Sequence, residues 1–226
     1  RITANVELNR IDEQRALGVE WSGVANDGRR LFGLPFGGAL ATVADMTVVP
    51  PLEVPSNWTL EEAATVPIIY FTVYTAFFVN ASIKAGETVL IHSGAGGVGQ
   101  AALYVAFGYG LEVFTTVGSA EKREYLLKKF PQLKPENIGN SRDTSFEEMI
   151  MQNTNGVGVK YVLNSLSGDK LMASIKCLSK CGKFLEIGKF DMMNRTKIDM
   201  RHFTKNISFS SIFIENLLND PAGRVS

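Results

Sequence analysis

One stretch limits the fold more than any other: "LIHSGAGGVGQAAL" at residues 90–103, an apolar run that breaks into glycines and resumes as small apolar residues. Gly94, Gly96 and Gly99 give the spacing G-x-G-x-x-G directly after "TVLIH", a β-branched run that reads as a buried strand. In such a strand–turn–helix the first glycine permits a tight turn and the second lets backbone approach a pyrophosphate. The third lets helix pack against strand. The N–H groups that open the helix, from Gly97 and Val98 onward, then face an anion. An ordinary glycine-rich loop is the rival reading, and the strand on either side at the right spacing favours the dinucleotide site. A P-loop is excluded, because no Lys followed by Ser or Thr closes the glycine run.

Alternation continues downstream: "LEVFTTV", the helix "SAEKREYLLKKF", a weak strand at "NIGN", the helix "TSFEEMIMQNT", "VKYVLNSL", "DKLMASIKCLSK", "GKFLEIG" and a sixth β-like run "NISFSSIFI". Strand and helix in turn argue for an α/β fold, a doubly wound parallel sheet with helices on both faces. Upstream, "LGVEWSGV", "RRLFGLPF" and "LATVADMTVV" alternate with turn signals such as "NDG", the pattern of an antiparallel or barrel-like module. Its tail, "PPLEVPSNW", reads as a proline-rich boundary, and Thr59 with Glu62 three residues on makes a capping box for a short helix ending near Pro67. The apolar run "VPIIYFTVYTAFFVNASI" reads as a buried helix. It falls short of the ~20 apolar residues that a membrane span needs.

Twenty-three basic side chains balance 23 acidic ones, so no global field favours nucleic acid or an anionic membrane. Cys177 and Cys181 read as ordinary thiols of a reducing compartment, and two Cys with two His, scattered along the chain, are too few for a structural zinc site. The start "RITANVELNR" has neither an apolar signal region nor an initiator Met, as in a piece of a longer chain.

The choice of dinucleotide turns on the end of the second strand of the alternation. NAD sites usually place an acid there, about 20 residues past the glycines. Here Val117, Gly118 and Ser119 stand at that end, with Lys122 and Arg123 one turn into the helix. A hydroxyl and two cations suit a 2′-phosphate, so the expected cofactor is NADPH. The rival is a solvated helix face neutralised by Glu121 and Glu124.

The combination "HSGAGGVGQAAL", "TVGSAEKR", "NSRDTSF", "VLNSL" and "FLEIGKFD", with "LGVEWSG" and "VPSNWTLEEAATVP" upstream, closely resembles the enoyl reductase domain of animal-type fatty acid synthase. That domain belongs to the zinc-independent branch of the medium-chain dehydrogenase/reductase superfamily, and reductase domains of polyketide synthases share several of the motifs. The resemblance implies NADPH-dependent reduction of a trans-2-enoyl thioester on an acyl carrier protein, within a cytoplasmic, homodimeric, multidomain synthase. It implies residues 1–55 as part of a GroES-like substrate domain, 56–214 as the Rossmann domain and 215–226 as the start of a return to the substrate domain. A polyketide synthase module, or a cofactor-binding but catalytically incomplete fragment, stays open.

Carried over by position, Gly94, Gly96, Gly97, Val98 and Gly99 line the pyrophosphate. Ser119, Lys122 and Arg123 take the 2′-phosphate, and Arg142 flanks the adenosine end. Thr72 faces the nicotinamide carboxamide, while Asn164 and Gly188 pass beneath the ring. Each has a plainer reading, Thr72 for instance as a satisfied hydroxyl in a buried helix. Enoyl reduction also needs a stabiliser for the enolate and a proton for the α-carbon. The resemblance assigns the proton to Lys189, against a surface pair with Asp191. It aligns Glu215 with a second donor that is Asp in the family.

Overall fold

Runs of β-branched and aromatic residues set the strands, and the computed structural model describes residues 18–34, 38–43 and 50–214. Glu215, the expected return segment 215–226 and most of the run "LATVADMTVV" lie outside the described residues; Leu40–Val43 of that run form bends.

The chain divides into two units, after Ile68 and before Asn216. In the smaller one, β1 (Trp21–Val24) pairs antiparallel with β2 (Arg30–Gly33). The "NDG" turn joins them, with Gly28 at φ 87° and the Asp27 carboxylate accepting the Arg29 N–H at 3.0 Å. A short β3 (Leu52–Glu53) adds to β2, so part of the expected proline-rich boundary is strand. Then α1 (Leu60–Ala63) starts on the capping box: Thr59 Oγ1 accepts from Glu62 N–H at 3.1 Å, and Glu62 Oε2 from Thr59 N–H at 2.8 Å. Phe32, Val54 and Ala63 form a core with Trp58 packed against it. Ser22 Oγ donates to the Leu60 carbonyl at 2.5 Å. These contacts bind α1 to β1 and β2, so the unit runs on past residue 55.

Next in the chain, α2 (Pro67–Tyr74) continues into a π-helical segment, Thr75–Ala81, that Ser82 ends in a left-handed conformation at φ 50°. The apolar stretch forms part of a helix longer than expected. Leu60–Ala81 counts 22 residues at mean hydropathy 1.4, enough by length and composition alone to cross a membrane. Turn residues 64–66 separate α1 from α2, and Pro67 stands at the first position of α2, where a proline is tolerated. Val73, Ala76 and Phe77 are fully buried, whereas Tyr70, Tyr74 and Val79 are exposed, so the helix is buried on one face only and not throughout as the sequence suggests.

There follow β4 (Thr88–Ile91), α3 (Gly97–Gly108), β5 (Glu112–Val117), α4 (Ala120–Lys129), β6 (Ile138–Asn140) and α5 (Phe146–Asn153). After them come β7 (Val159–Asn164), α6 (Asp169–Lys176), β8 (Leu178–Glu186), α7 (Phe190–Met193) and β9 (Ser208–Ser211). The six strands β4–β9 are all parallel, in the order β6-β5-β4-β7-β8-β9. Counted from β4 this is the Rossmann order, reversing between β4 and β7. Register aligns Phe114, Leu90, Val162, Phe184 and Phe209 in one row across five strands. Phe146 and Ile150 of α5 and Leu171 and Ile175 of α6 complete that core. Truncating a buried Phe of such a row costs ~3–5 kcal/mol. β8 begins earlier than the run "GKFLEIG", and its ladder to β7 slips beside Cys181, which holds φ 55°.

Candidate functional site

Open α/β sheets bind ligands beyond the carboxyl ends of their strands, at the point where strand order reverses. β4 reaches that edge at Ile91, and the turn into α3 is tight. The left-handed residue of the turn is Ser93, at φ 55°, and not a glycine. Gly94 is instead a close approach: a Cβ there would collide with Thr115 Oγ1 and stand 3.2 Å from Leu126 Cδ1. That corrects the expectation that the first glycine makes the turn. A Cβ on Gly99 would collide with the Ser93 carbonyl and stand 2.8 Å from Gly94 Cα, so the third glycine does let the helix sit against the turn.

Gly96 caps α3 in extended backbone, and no side-chain hydrogen bond caps the start of this 12-residue helix. The exposed Gly96 and Gly97 and the half-buried Val98 leave the first N–H groups, with the positive end of the helix dipole, open to an anion. Gln100 braces the loop by donating to the Ala95 carbonyl at 2.9 Å, while its own oxygen accepts from Tyr125 at 2.8 Å and Lys129 at 2.7 Å.

Two adjoining hollows lie at the end of β5. One, of about 390 Å³, is lined by Gly118, Ser119, Arg123, Asn140 and Arg142; the other, of about 290 Å³, by Ser93, Gly96, Lys122, Ser141 and Arg142. Gly118, Val117 and Arg142 line both. The predicted basic cluster is thus brought together, and its members differ in what holds them. Arg123 is half-buried, and its guanidinium donates to the carbonyls of Ile138 and Pro135, both at 2.5 Å. It pins α4 to β6, and the rest of its donor fork remains for a ligand. Arg142 is exposed, held by a 3.4 Å contact from Nε to the Gly118 carbonyl. A Cβ on Gly118 would stand 2.7 Å from that Nε, so the glycine makes room for the arginine. Ser119 caps α4, its Oγ accepting from the Lys122 N–H at 3.4 Å, which leaves the hydroxyl proton to donate.

On the other side of the reversal point, β7 ends at Asn164, whose buried amide donates to the Leu166 carbonyl at 2.7 Å and to Glu186 Oε2 at 2.6 Å. The Asn164 amide is thus spent on its own loop and on Glu186. Ser165 reaches across to Ser93 with Oγ–Oγ 3.3 Å. At the exit of β8, Gly188 donates its N–H to Glu186 Oε1 at 2.6 Å. Lys189 is exposed, with Nζ 5.6 Å from the centre of the Phe213 ring. The Asp191 carboxylate takes the Gly168 N–H at 3.1 Å and the Thr196 hydroxyl at 2.7 Å. Thr72 is 8 % exposed, within α2.

Sequence reasoning missed two buried groups. His92 is 3 % exposed, its ring nitrogens 2.9 Å from Thr116 Oγ1 and 2.8 Å from Ser174 Oγ, its edge against Phe146. Burial pushes its pKa down to about 3, so the ring is a neutral tie beneath the glycine turn. Glu186 is 3 % exposed, and burial pushes its carboxyl up to about 7. No local signal marks either one, because their partners lie on other elements.

The family model for zinc-binding dehydrogenases matches residues 97–221, and the chain belongs to that family. Lovastatin diketide synthase of Aspergillus terreus (strain NIH 2624 / FGSC A1156) is 47 % identical over 72 % of this chain and 7 % of its own length. The crystal structure of CurK enoyl reductase superimposes with TM-score 0.79 at 33 % identity, over 93 % of this chain and 64 % of that one. The quinone oxidoreductase of Thermus thermophilus, whose structures include a complex with NADPH, matches with TM-score 0.74 at 26 % identity, over 91 % and 63 %. The chain spans a small fraction of the synthases it matches. The superfamily part of the sequence resemblance stands. The animal fatty acid synthase part does not, because these relatives are fungal polyketide synthases. Despite the family's name, no three His, Cys, Asp or Glu side chains gather among the described residues, so that set does not fit a zinc ion.

Proposed function

We propose that this chain is the enoyl reductase module of a polyketide synthase, reducing a trans-2-enoyl thioester on an acyl carrier protein with NADPH. The observation that carries the reading is the likeness to CurK enoyl reductase over 93 % of the chain, with a glycine-opened helix and a cation-lined hollow where such a cofactor would bind. NADPH, when bound, supplies the hydride that goes to the β-carbon.

The chain's own residues bind and orient. The N–H groups at the start of α3 neutralise the pyrophosphate. Ser119, Lys122 and Arg142, with the remaining donors of Arg123, take the 2′-phosphate, in a hollow with no carboxylate in its lining. Thr72 holds the carboxamide, and the loops from Asn164 and Gly188 support the ring. Lys189, at the carboxyl edge of β8, delivers a proton toward the α-carbon as enolate charge develops, with Glu215 the second candidate. The partners are the carrier-bound acyl chain, the other domains of the same synthase and a second copy in a homodimer. A cytoplasmic setting suits the unpaired Cys177 and Cys181. The test is NADPH consumption by the complete synthase with a crotonyl thioester, which the reading predicts and which a synthase lacking this activity would fail to show.

A further inference from the structure

The mechanism leaves one buried charge unused. Glu186, the last residue of β8, spends both carboxylate oxygens on two different loops: Oε2 on the Asn164 amide at 2.6 Å and Oε1 on the Gly188 N–H at 2.6 Å. Asn164 passes the constraint on, its Oδ1 accepting the Leu166 N–H at 3.2 Å while its amide holds the Leu166 carbonyl. The backbone adds a tie from the Ile187 N–H to the Asn164 carbonyl at 3.0 Å. Gly188 is fitted to the same group, since a Cβ there would stand 2.7 Å from Glu186 Oε1. A buried carboxylate is costly, and an apolar replacement of similar volume is often neutral or stabilising. Its use lies in what it fixes.

We propose that Glu186 is a positioning residue whose ionised carboxylate clamps the β7–α6 and β8–α7 loops, holding the floor of the nicotinamide side in the geometry that hydride delivery requires. The inference rests on the NADPH-dependent reading above.

The groups around the carboxylate make the clamp sensitive to pH. From β7 it meets the neutral Asn164; its register partner on β9 is the neutral Ser211; from the β8–α7 segment Asp191 adds a like charge, and the cation Lys189, three residues on in sequence, has its Nζ over the Phe213 ring. Burial raises the pKa to about 7, opposed by the hydrogen bonds from Asn164 and Gly188, with the Asp191 charge adding the smallest contribution. Once protonated, one oxygen becomes an O–H facing an N–H donor, and one of the two ties is lost.

The experiment uses the complete synthase, titrated with NADPH and with 2′-phosphoadenosine 5′-diphosphoribose, which keeps the 2′-phosphate and the pyrophosphate and lacks the nicotinamide. The ratio of the two affinities isolates the nicotinamide side and cancels titration of the 2′-phosphate. In wild type the ratio falls as pH drops through about 7. In Glu186→Gln it is about tenfold lower at pH above that point and flat, as expected for one lost charge-assisted hydrogen bond. That variant also loses kcat with little change in KM for the thioester. Hydrogen exchange of residues 164–168 and 186–191 in the cofactor-free chain speeds up. Gly188→Ala, which displaces the carboxylate from the other side, reproduces the loss. Should both variants fail to fold, the wild-type pH profile decides. Normal NADPH turnover with a pH-independent ratio overturns the clamp alone. Failure of the wild-type chain to bind NADPH refutes the reductase reading, and the positioning role with it.

Discussion

Removing the cations at the end of β5 one at a time should separate fold from cofactor recognition. Arg123 makes two 2.5 Å bonds to the carbonyls of Ile138 and Pro135, and those carbonyls lose a charged donor when the side chain is cut back. Hydrogen bonds to charged groups contribute ~1.5–3 kcal/mol each, less where water competes, so Arg123→Ala should cost about 2 kcal/mol of stability. Arg142 is exposed and has one 3.4 Å contact, and its loss should change stability by less than about 0.5 kcal/mol. Binding should divide the other way. A 2′-phosphate carries about two negative charges. Arg142→Ala and Lys122→Ala should each weaken NADPH by about tenfold or more and leave NADH nearly unchanged. Urea unfolding gives the first quantity, and titration with both cofactors at fixed salt gives the second. The reasoning is refuted if Arg123→Ala weakens NADPH as much as Arg142→Ala at unchanged stability, or if both cofactors weaken equally.

Gly94→Ala should destabilise by about 2–5 kcal/mol, because the methyl drives into Thr115 and breaks its 2.7 Å bond to the Ile91 carbonyl. Pairing it with Thr115→Ala should recover at least ~1 kcal/mol in a denaturation cycle, and strict additivity would contradict the close-approach account. Lys189→Ala should slow thioester reduction by ~10²–10⁴-fold with NADPH affinity kept, measured by steady-state rates and titration; a loss under about threefold would return it to a surface role. His92 is neutral in the fold, with its pKa lowered from 6.5 to about 3. Stability should therefore fall as pH drops below about 6.5, by ~1.4 kcal/mol per pH unit for this group, and His92→Gln should lose that slope. Glu186, raised from 4.5 to about 7, acts oppositely and loses stability as pH rises through that interval.

What the sequence made legible was local. The box at Thr59 and Glu62, the helix from Gly97 to Gly108 and the six strands of the alternation are written in caps, glycine spacing and apolar period. What it hid was remote pairing. Glu186 meets Asn164 across 22 positions, and His92 meets Ser174 across 82, with no periodicity to mark either. Arg123 looked like a free cation because its acceptors are backbone carbonyls, which every residue carries. The turn at Ser93 was hidden by the glycine beside it. Placing Gly96, Lys122 and Arg142 around one hollow needed the parallel order of β4, β5 and β6, which spacing alone does not give.

The most direct test of the central claim follows the hydride itself. The complete synthase is given a crotonyl thioester and NADPH deuterated at the transferable position of the nicotinamide, and the saturated product is analysed by mass and NMR. The account predicts one deuterium per turnover at the β-carbon and a solvent-derived hydrogen at the α-carbon. Deuterium at the carbonyl carbon, or cofactor left unconsumed while the other activities of the synthase proceed, would contradict it.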